Sequence, residues 1–363
     1  MSEQERGDER GGEDHEAHDD VDPAWIYDEV STEIERVLIG NAEIVEKLTI
    51  SLLTRGHILL EGVPGVAKTT LANAFARASG LAYNRIQMTP DILPADITGT
   101  HVYRENLGEF ELERGPVFAN VVVADEINRA TPKTQSALLE AMEERNVTIR
   151  GETLALPEPF MVIATQNPLE MEGVFELPEA QRDRFQLKLT MGLPDHEEER
   201  ELVWRFDADP TLSSEAVEQV VSAEALLAAR EQVANVHVAS PVVDYILELV
   251  EATREHPETA HGASPRATLA FLDTAKARAA INGRAYAVPD DVKALAEAVL
   301  VHRVVLTADA NLGDVAPGDI IADILERIDP PSAAADELSG AGDGEPSDSA
   351  DAEEPAGAEA TED

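Results

Sequence analysis

The chain has 363 residues, 43% of them hydrophobic, enough for two or three domains and a sizeable core. Its formal net charge is -44 and it has no cysteine, which excludes disulfides and thiolate metal sites and argues against non-specific nucleic-acid binding. No apolar run comes near the roughly 18 residues of a membrane span, and the N-terminus lacks the apolar stretch of a secretory leader, so a cytoplasmic protein is the simplest expectation.

In chain order, residues 1–20 hold nine acidic and two basic side chains and read as a disordered acidic segment. Residues 331–363, with eleven acidic side chains and no basic one, read as a disordered acidic tail. That leaves -26 for residues 21–330, so the folded body is itself acidic, and over the whole chain 22 arginines outnumber six lysines. Such a body repels itself until salt screens it, which points to a high-salt cytoplasm.

From 57 onward, short apolar runs alternate with helical patterns. "HILLE" (57–61) reads as a buried strand, "TTLANAFARAS" (69–79) as a helix stopped by Gly80, and "LAYNRIQM" (81–88) as a second strand. "NVVVADE" (120–126) is a fully buried strand, and "TPKTQSALLEAMEER" a helix capped by Thr131 with Pro132 in its first turn. "VTIRGETLAL" predicts a hairpin turning at Gly151-Glu152. "FMVIATQ" (160–166) and "RFQLKLT" (184–190) are the last strands, so a mostly parallel sheet sandwiched by helices is expected over residues 21–193. After Pro194 the pattern is helical, with candidates at 195–206, 222–235, 241–255, 265–281 and 289–302, and a small all-helical domain is expected over residues 194–330.

Four stretches carry chemistry. "LLEGVPGVAKTT" (59–70) nearly fits a phosphate-binding loop, with Gly62, Val63, Pro64, Gly65, Val66, Ala67, Lys68, Thr69 and Thr70, except that Ala67 replaces the second glycine. An alanine keeps its N–H for the phosphates, and is tolerated there if its backbone angles are helix-like. Asp125 and Glu126 end a buried strand 57 residues after Lys68. There Asp125 can hold Mg2+ with the Thr69 hydroxyl, and Glu126 can deprotonate water. Asn167 follows another buried strand and can position water, or simply start a turn with Pro168. Arg266, after the Ser264 cap and Pro265, sits in a first turn where a cation opposes the helix dipole by about 0.3–1 kcal/mol, which suggests a task such as reaching an anion.

Together these stretches resemble an AAA+ P-loop ATPase, and most closely the MoxR family, over about residues 30 to 305. "EGVPGVAKT", "ADEINRATPKTQSALLEAMEERNVTIRGE", "ATQNPLEMEGVFELPEAQRDRF" and "GASPRA" carry the resemblance, and alanine before the lysine is common in that family. The resemblance implies an α/β nucleotide-binding domain followed by a helical lid, ATP with Mg2+ as cofactors, and a homo-oligomeric ring, expected to be a hexamer. It implies Lys68 on the β- and γ-phosphates, Thr69 and Asp125 on the metal, Glu126 as base and Asn167 as first sensor. Arg184 would be the arginine finger for a neighbouring subunit, Arg266 the second sensor, and Ile39 and Gly40 the adenine-packing segment. Arg182 stands where an apolar residue is expected and leaves the finger open between the two arginines, and Arg129 is a further candidate for a trans contact. "GEFELERG" (108–115) and the hairpin at Gly151 fit the inserted hairpins of this AAA+ branch. The implied activity is ATP hydrolysis in a chaperone that matures partner complexes, often beside a von Willebrand factor A-domain protein. A magnesium-chelatase-type motor subunit, a DNA helicase or clamp-loader-like motor, and a nucleotide-gated switch with little turnover are the competing readings.

Overall fold

The computed structural model describes residues 22–331 except 107, 170–172 and 212. The expected disordered ends lie outside the described residues, apart from residue 331. Helices α1 (Pro23–Glu35) and α2 (Ala42–Leu53) come first. The Asp22 carboxylate caps α1 by accepting from the Ala24 N–H at 2.9 Å, and Pro23 costs no hydrogen bond there. Ile26, Val30 and Ile34, spaced one helical turn apart, are the buried stripe of α1.

The α/β part follows as β1 (Ile58–Glu61), α3 (Lys68–Ala78), β2 (Tyr83–Gln87), α4 (Pro94–Thr98), β3 (Gly99–Arg104), β4 (Glu109–Arg114), β5 (Val121–Asp125), α5 (Pro132–Glu144), β6 (Asn146–Ile149), β7 (Glu152–Ala155), β8 (Met161–Gln166), α6 (Glu179–Arg182) and β9 (Leu187–Thr190). The main sheet has the order β2-β5-β8-β1-β9, with every pair parallel. Its apolar strands are covered on both faces. Val121 and Val123 of β5 join a cluster with Leu71 and Phe75 of α3, whereas Val122 and Ala124 join Leu138, Leu139 and Met142 of α5 on the other side. The sandwiched parallel sheet expected from the sequence is present.

Two antiparallel hairpins, β3–β4 and β6–β7, stand apart from this sheet, where "GEFELERG" and the Gly151 stretch predict them. The turn of the β6–β7 hairpin differs from expectation. Ile149 pairs with Glu152, so the loop residues are Arg150 and Gly151, both at positive φ (50° and 90°). Two left-handed residues match the twist of a two-residue hairpin, and glycine takes the second of them. The last strand also starts later than "RFQLKLT" suggests, because residues 179–186 form α6 and a turn whose amides bond back along the chain.

The remainder is helical: α7 (His196–Ala208), α8 (Ala223–Ala234), α9 (Ser240–Glu255), α10 (Pro265–Ile281), α11 (Pro289–Leu300), α12 (Ala308–Leu312) and α13 (Pro317–Arg327), with a small β10 (Thr259–His261) and β11 (Val305–Leu306) pair. The apolar cluster under α3 runs on through α1 and α2 into Leu249, Phe271, Val292 and Leu295, so the helical part shares its core with one face of the α/β part. A polar bolt adds to it. The Arg303 guanidinium, buried beyond the end of α11, donates to Asp183 Oδ1 at 2.8 Å and to the Phe185 carbonyl at 2.7 Å, and the Ser264 hydroxyl donates to Asp183 Oδ2 at 2.8 Å. No helix of the described residues is long and apolar enough to cross a membrane.

Candidate active site

The loop between β1 and α3 carries the phosphate-loop residues. Gly62 presses on the end of β9, where an added Cβ would stand 2.6 Å from the Met191 carbonyl oxygen, so no larger residue fits. Ala67 does not have helix-like angles. It is left-handed, with φ 66° and ψ 23°, at the N-cap of α3. The second glycine of the pattern therefore answers a conformational need, and here an alanine meets it at a cost of about 1–2 kcal/mol. What is gained is the direction of the following amides, which open α3 toward a cavity of about 420 Å³ lined by Pro64, Gly65, Ala67, Lys68, Thr69 and Thr70 on one side. The Lys68 ammonium lies on its own loop, donating to the Gly62 and Val63 carbonyls at 2.6 and 2.9 Å. Burial lowers its pKa, and the charges of Asp125 and Glu126 oppose that shift.

The far wall comes from the carboxyl ends of β5 and β8, where ligands bind in open α/β sheets: Asp125, Glu126, Thr165, Gln166 and Asn167. Asp125 Oδ1 accepts from the Thr165 hydroxyl at 2.5 Å, and that hydroxyl accepts from the Glu126 amide at 2.9 Å. Glu126 is left-handed, with φ 57°, which turns its side chain off the strand line. Its carboxylate accepts from Gln87 Nε2 at 3.0 Å and pairs with Arg129 at 3.3 Å. Asn167 Oδ1 accepts from the Leu169 amide at 3.1 Å, so it begins the turn before Pro168 and also lines the cavity.

Three members of the site escape sequence reasoning. Arg85 of β2 donates Nε to Asp125 Oδ2 at 3.0 Å and pairs with it through Nη2, and Gln87 and Thr165 hold Glu126 and Asp125 as above. The available signal is the alternation in "YNRIQ", which puts Arg85 and Gln87 on one face of β2, and the register that sets Gln87 opposite Asp125. The donor set fits magnesium: a threonine hydroxyl and a carboxylate facing one cavity, with the remaining ligands left to phosphate and water. Among the described residues no group of three or more His, Cys, Asp or Glu forms a self-sufficient metal site.

A separate recess of about 230 Å³ lies on the other side of the loop, sharing Gly65 and Ala67 with the first and lined by Leu38, Ile39, Val66 and Met191. Its apolar walls suit a flat base. Gly40, with φ 70°, backs it where a Cβ would stand 2.3 Å from the Glu198 carboxylate.

Arg184 and Arg266 do not join the phosphate cavity of their own chain. Arg184 donates to the Leu139 carbonyl at 2.9 Å and pairs with Glu143 Oε2 at 2.9 Å, while Arg266 pairs with Glu143 Oε1 at 2.7 Å. One carboxylate at the end of α5 therefore holds both. Asp183, beside Arg184, is taken by Arg303 and Ser264. Arg182 lines a different cavity, behind Asn167.

Residues 57–187 match the model of the ATPase family associated with various cellular activities (AAA), and residues 251–324 that of the AAA lid domain. Chaperone MoxR1 of Mycobacterium tuberculosis is 46% identical over 305 residues, spanning 82% of this chain and 80% of the relative. Protein MoxR of Methylorubrum extorquens is 33% identical over 323 residues, spanning 82% of this chain and 93% of the relative. A crystal structure of a candidate ATPase from Cytophaga hutchinsonii superposes with a TM-score of 0.78 at 40% identity, covering 85% of this chain and 96% of that one. On these matches, and on a phosphate loop facing a strand-end Asp-Glu pair, the chain belongs to the MoxR family of AAA+ ATPases.

Proposed function

We propose that this protein binds ATP with Mg2+, hydrolyses it, and works as a homo-oligomeric ring, a hexamer, that remodels or matures partner complexes. The observation that supports hydrolysis best is the gathering of Lys68, Thr69, Asp125, Glu126 and Asn167 around one cavity. In this reading Lys68 leaves the Gly62 and Val63 carbonyls for the β- and γ-phosphates. Glu126, oriented by Gln87 and Arg129, takes the proton of the attacking water, and Asn167 holds that water in line. Thr69 and Asp125 would hold magnesium, which when bound neutralises charge on the phosphate oxygens. Ile39 and Val66 take the base in the apolar recess.

Within their own chain, Arg184 and Arg266 both pair with Glu143. We assign them to the nucleotide of a neighbouring subunit, with Arg184 as the finger. The chaperone role rests on the name of the 46% identical relative, and a von Willebrand factor A-domain partner and a cytoplasmic, salt-rich setting belong to the same proposal. The acidic body supports the salt-rich part: folding and assembly strengthen from low to molar salt as the screening length falls from about 10 Å to about 3 Å.

Lys68→Ala and Glu126→Gln test the reading together. Fluorescent ATP binding is lost in the first and kept in the second, while phosphate production falls about 10²–10⁴-fold in the second. Normal turnover in Glu126→Gln removes it as the base. Tight binding with negligible turnover in the unaltered chain favours the nucleotide-gated switch instead.

A further inference from the structure

Asp125, the proposed metal carboxylate, is held from two sides. The buried Thr165 hydroxyl of β8 donates to Oδ1 at 2.5 Å. Arg85 of β2, which lines the phosphate cavity, donates Nε–H to Oδ2 at 3.0 Å and pairs with the same oxygen through Nη2. A carboxylate offers about four lone-pair positions, two on each oxygen. Arg85 therefore takes both on Oδ2, and Thr165 takes one on Oδ1. The guanidinium reaches further along β2, where Nη2 also donates to Gln87 Oε1 at 2.8 Å. An amide whose oxygen faces Arg85 has its N–H groups left for Glu126, and Gln87 Nε2 donates to that carboxylate at 3.0 Å. One arginine thus engages Asp125 directly and Glu126 through Gln87.

The two partners of Asp125 differ in freedom. Thr165 is fixed within the sheet, whereas the Arg85 side chain is 49% exposed. Ion pairs this exposed are weakly held, so a stronger cation can open this one. A divalent ion that reaches Asp125, directly or through a bound water, meets Arg85 at Oδ2, and two cations at one oxygen repel. A guanidinium released from Asp125 stays on the wall of the same cavity, where phosphate oxygens are suitable acceptors.

The geometry points to Arg85 as a built-in cation at Asp125 that a divalent metal must displace, so that this arginine sets the metal concentration the site requires. This rests on the proposed magnesium site at Asp125, and the test separates the two. Mn2+, which suits the same octahedral oxygen sites as magnesium, is titrated into the full chain with ADP held below the protein concentration, and free Mn2+ is read by electron paramagnetic resonance. No turnover is involved. Asp125→Asn weakens Mn2+ binding about tenfold or more, and Arg85→Gln tightens it about tenfold or more. Arg129→Gln removes the same charge beside Glu126 instead, and changes the affinity less than about threefold. Equal tightening in Arg129→Gln reduces the effect to a general field and overturns the role of Arg85. Unchanged or weaker binding in Arg85→Gln, with the Asp125→Asn loss intact, also overturns it and leaves the magnesium site standing. Unchanged binding in Asp125→Asn removes the magnesium site and the role of Arg85 together. A second measurement needs no substitution. In a crystal structure of the unaltered chain with Mg2+ and a non-hydrolysable ATP analogue, no nitrogen of Arg85 lies within about 4 Å of the Asp125 carboxylate. Arg85 still paired with Asp125 beside a bound Mg2+ overturns the displacement.

Discussion

The phosphate end of the molecule and the arginine face on α5 are built in opposite ways. At the phosphate end, residues from the loop after β1 and from α3, β2, β5 and β8 converge on one cavity, and each charged group has a complementary neighbour within reach. On the arginine face two guanidiniums share the single carboxylate of Glu143, and neither lines the phosphate cavity. The phosphate end has its parts within one chain, whereas the arginine face has cations and no phosphate site of its own. In the proposed reading, motif residues of one chain serve two different active sites, and their placement is what distinguishes the two sets.

The largest effect that sharpens this contrast is on rate. Arg184→Ala leaves ATP binding to its own chain intact and lowers turnover about 10³–10⁵-fold, as for an arginine supplied in trans. Arg182→Ala beside it changes cleavage far less. Equal losses in both variants would return the finger to an open choice.

A smaller effect acts on the platform beneath the arginines. Buried His57 accepts from the Val162 amide at Nδ1, 3.0 Å, and bonds the Met142 carbonyl through Nε2, 3.1 Å, next to Glu143 on α5. Burial pushes its pKa down to about 4. The unfolded chain takes up this proton near pH 6.5 and the folded one does not, so the neutral imidazole's contribution is complete above about 6.5 and is lost as pH falls toward 4. The slope from this one group is up to about 1.4 kcal/mol per pH unit. Denaturant titrations between about pH 7 and 4.5 show a steeper fall for the unaltered chain than for His57→Gln. Parallel curves would remove His57 from the linkage.

The smallest effect lies at the phosphate end. Ala67→Gly removes a left-handed alanine but adds chain entropy to the unfolded state, so its net effect is stabilisation of at most about 1 kcal/mol. Ala67→Val strains the same position further and destabilises by more than that. A thermal melt in which the glycine variant loses about 1 kcal/mol, as an ordinary helical position would, contradicts the backbone assignment.

Much of the phosphate end is legible in the sequence because its signals are local. The apolar run ending in Asp125 and Glu126, and the glycine turn before Lys68, each announce an element and its end. Arg85 and Thr165 are not legible in this way. Their contacts with Asp125 depend on β5 lying between β2 and β8, which is a property of strand order. The conformation of Ala67 departs from the helix-like expectation because a helix N-cap need not share the helix's angles, and the loop's amides require a left-handed residue there. The destination of Arg266 is hidden for a longer-range reason. Its helix is carried by packing along α1 and α2 and by the Arg303–Asp183 bolt, none of which a motif encodes.

The division between the two regions is tested most directly by mixing subunits. Lys68→Ala and Arg184→Ala are each purified, shown to be nearly inactive, and combined into rings proven to contain both. A shared site predicts that activity returns in part, because an intact Lys68 pocket meets an intact Arg184 across one interface. Full activity in Arg184→Ala alone, or no activity in rings known to be mixed, contradicts it.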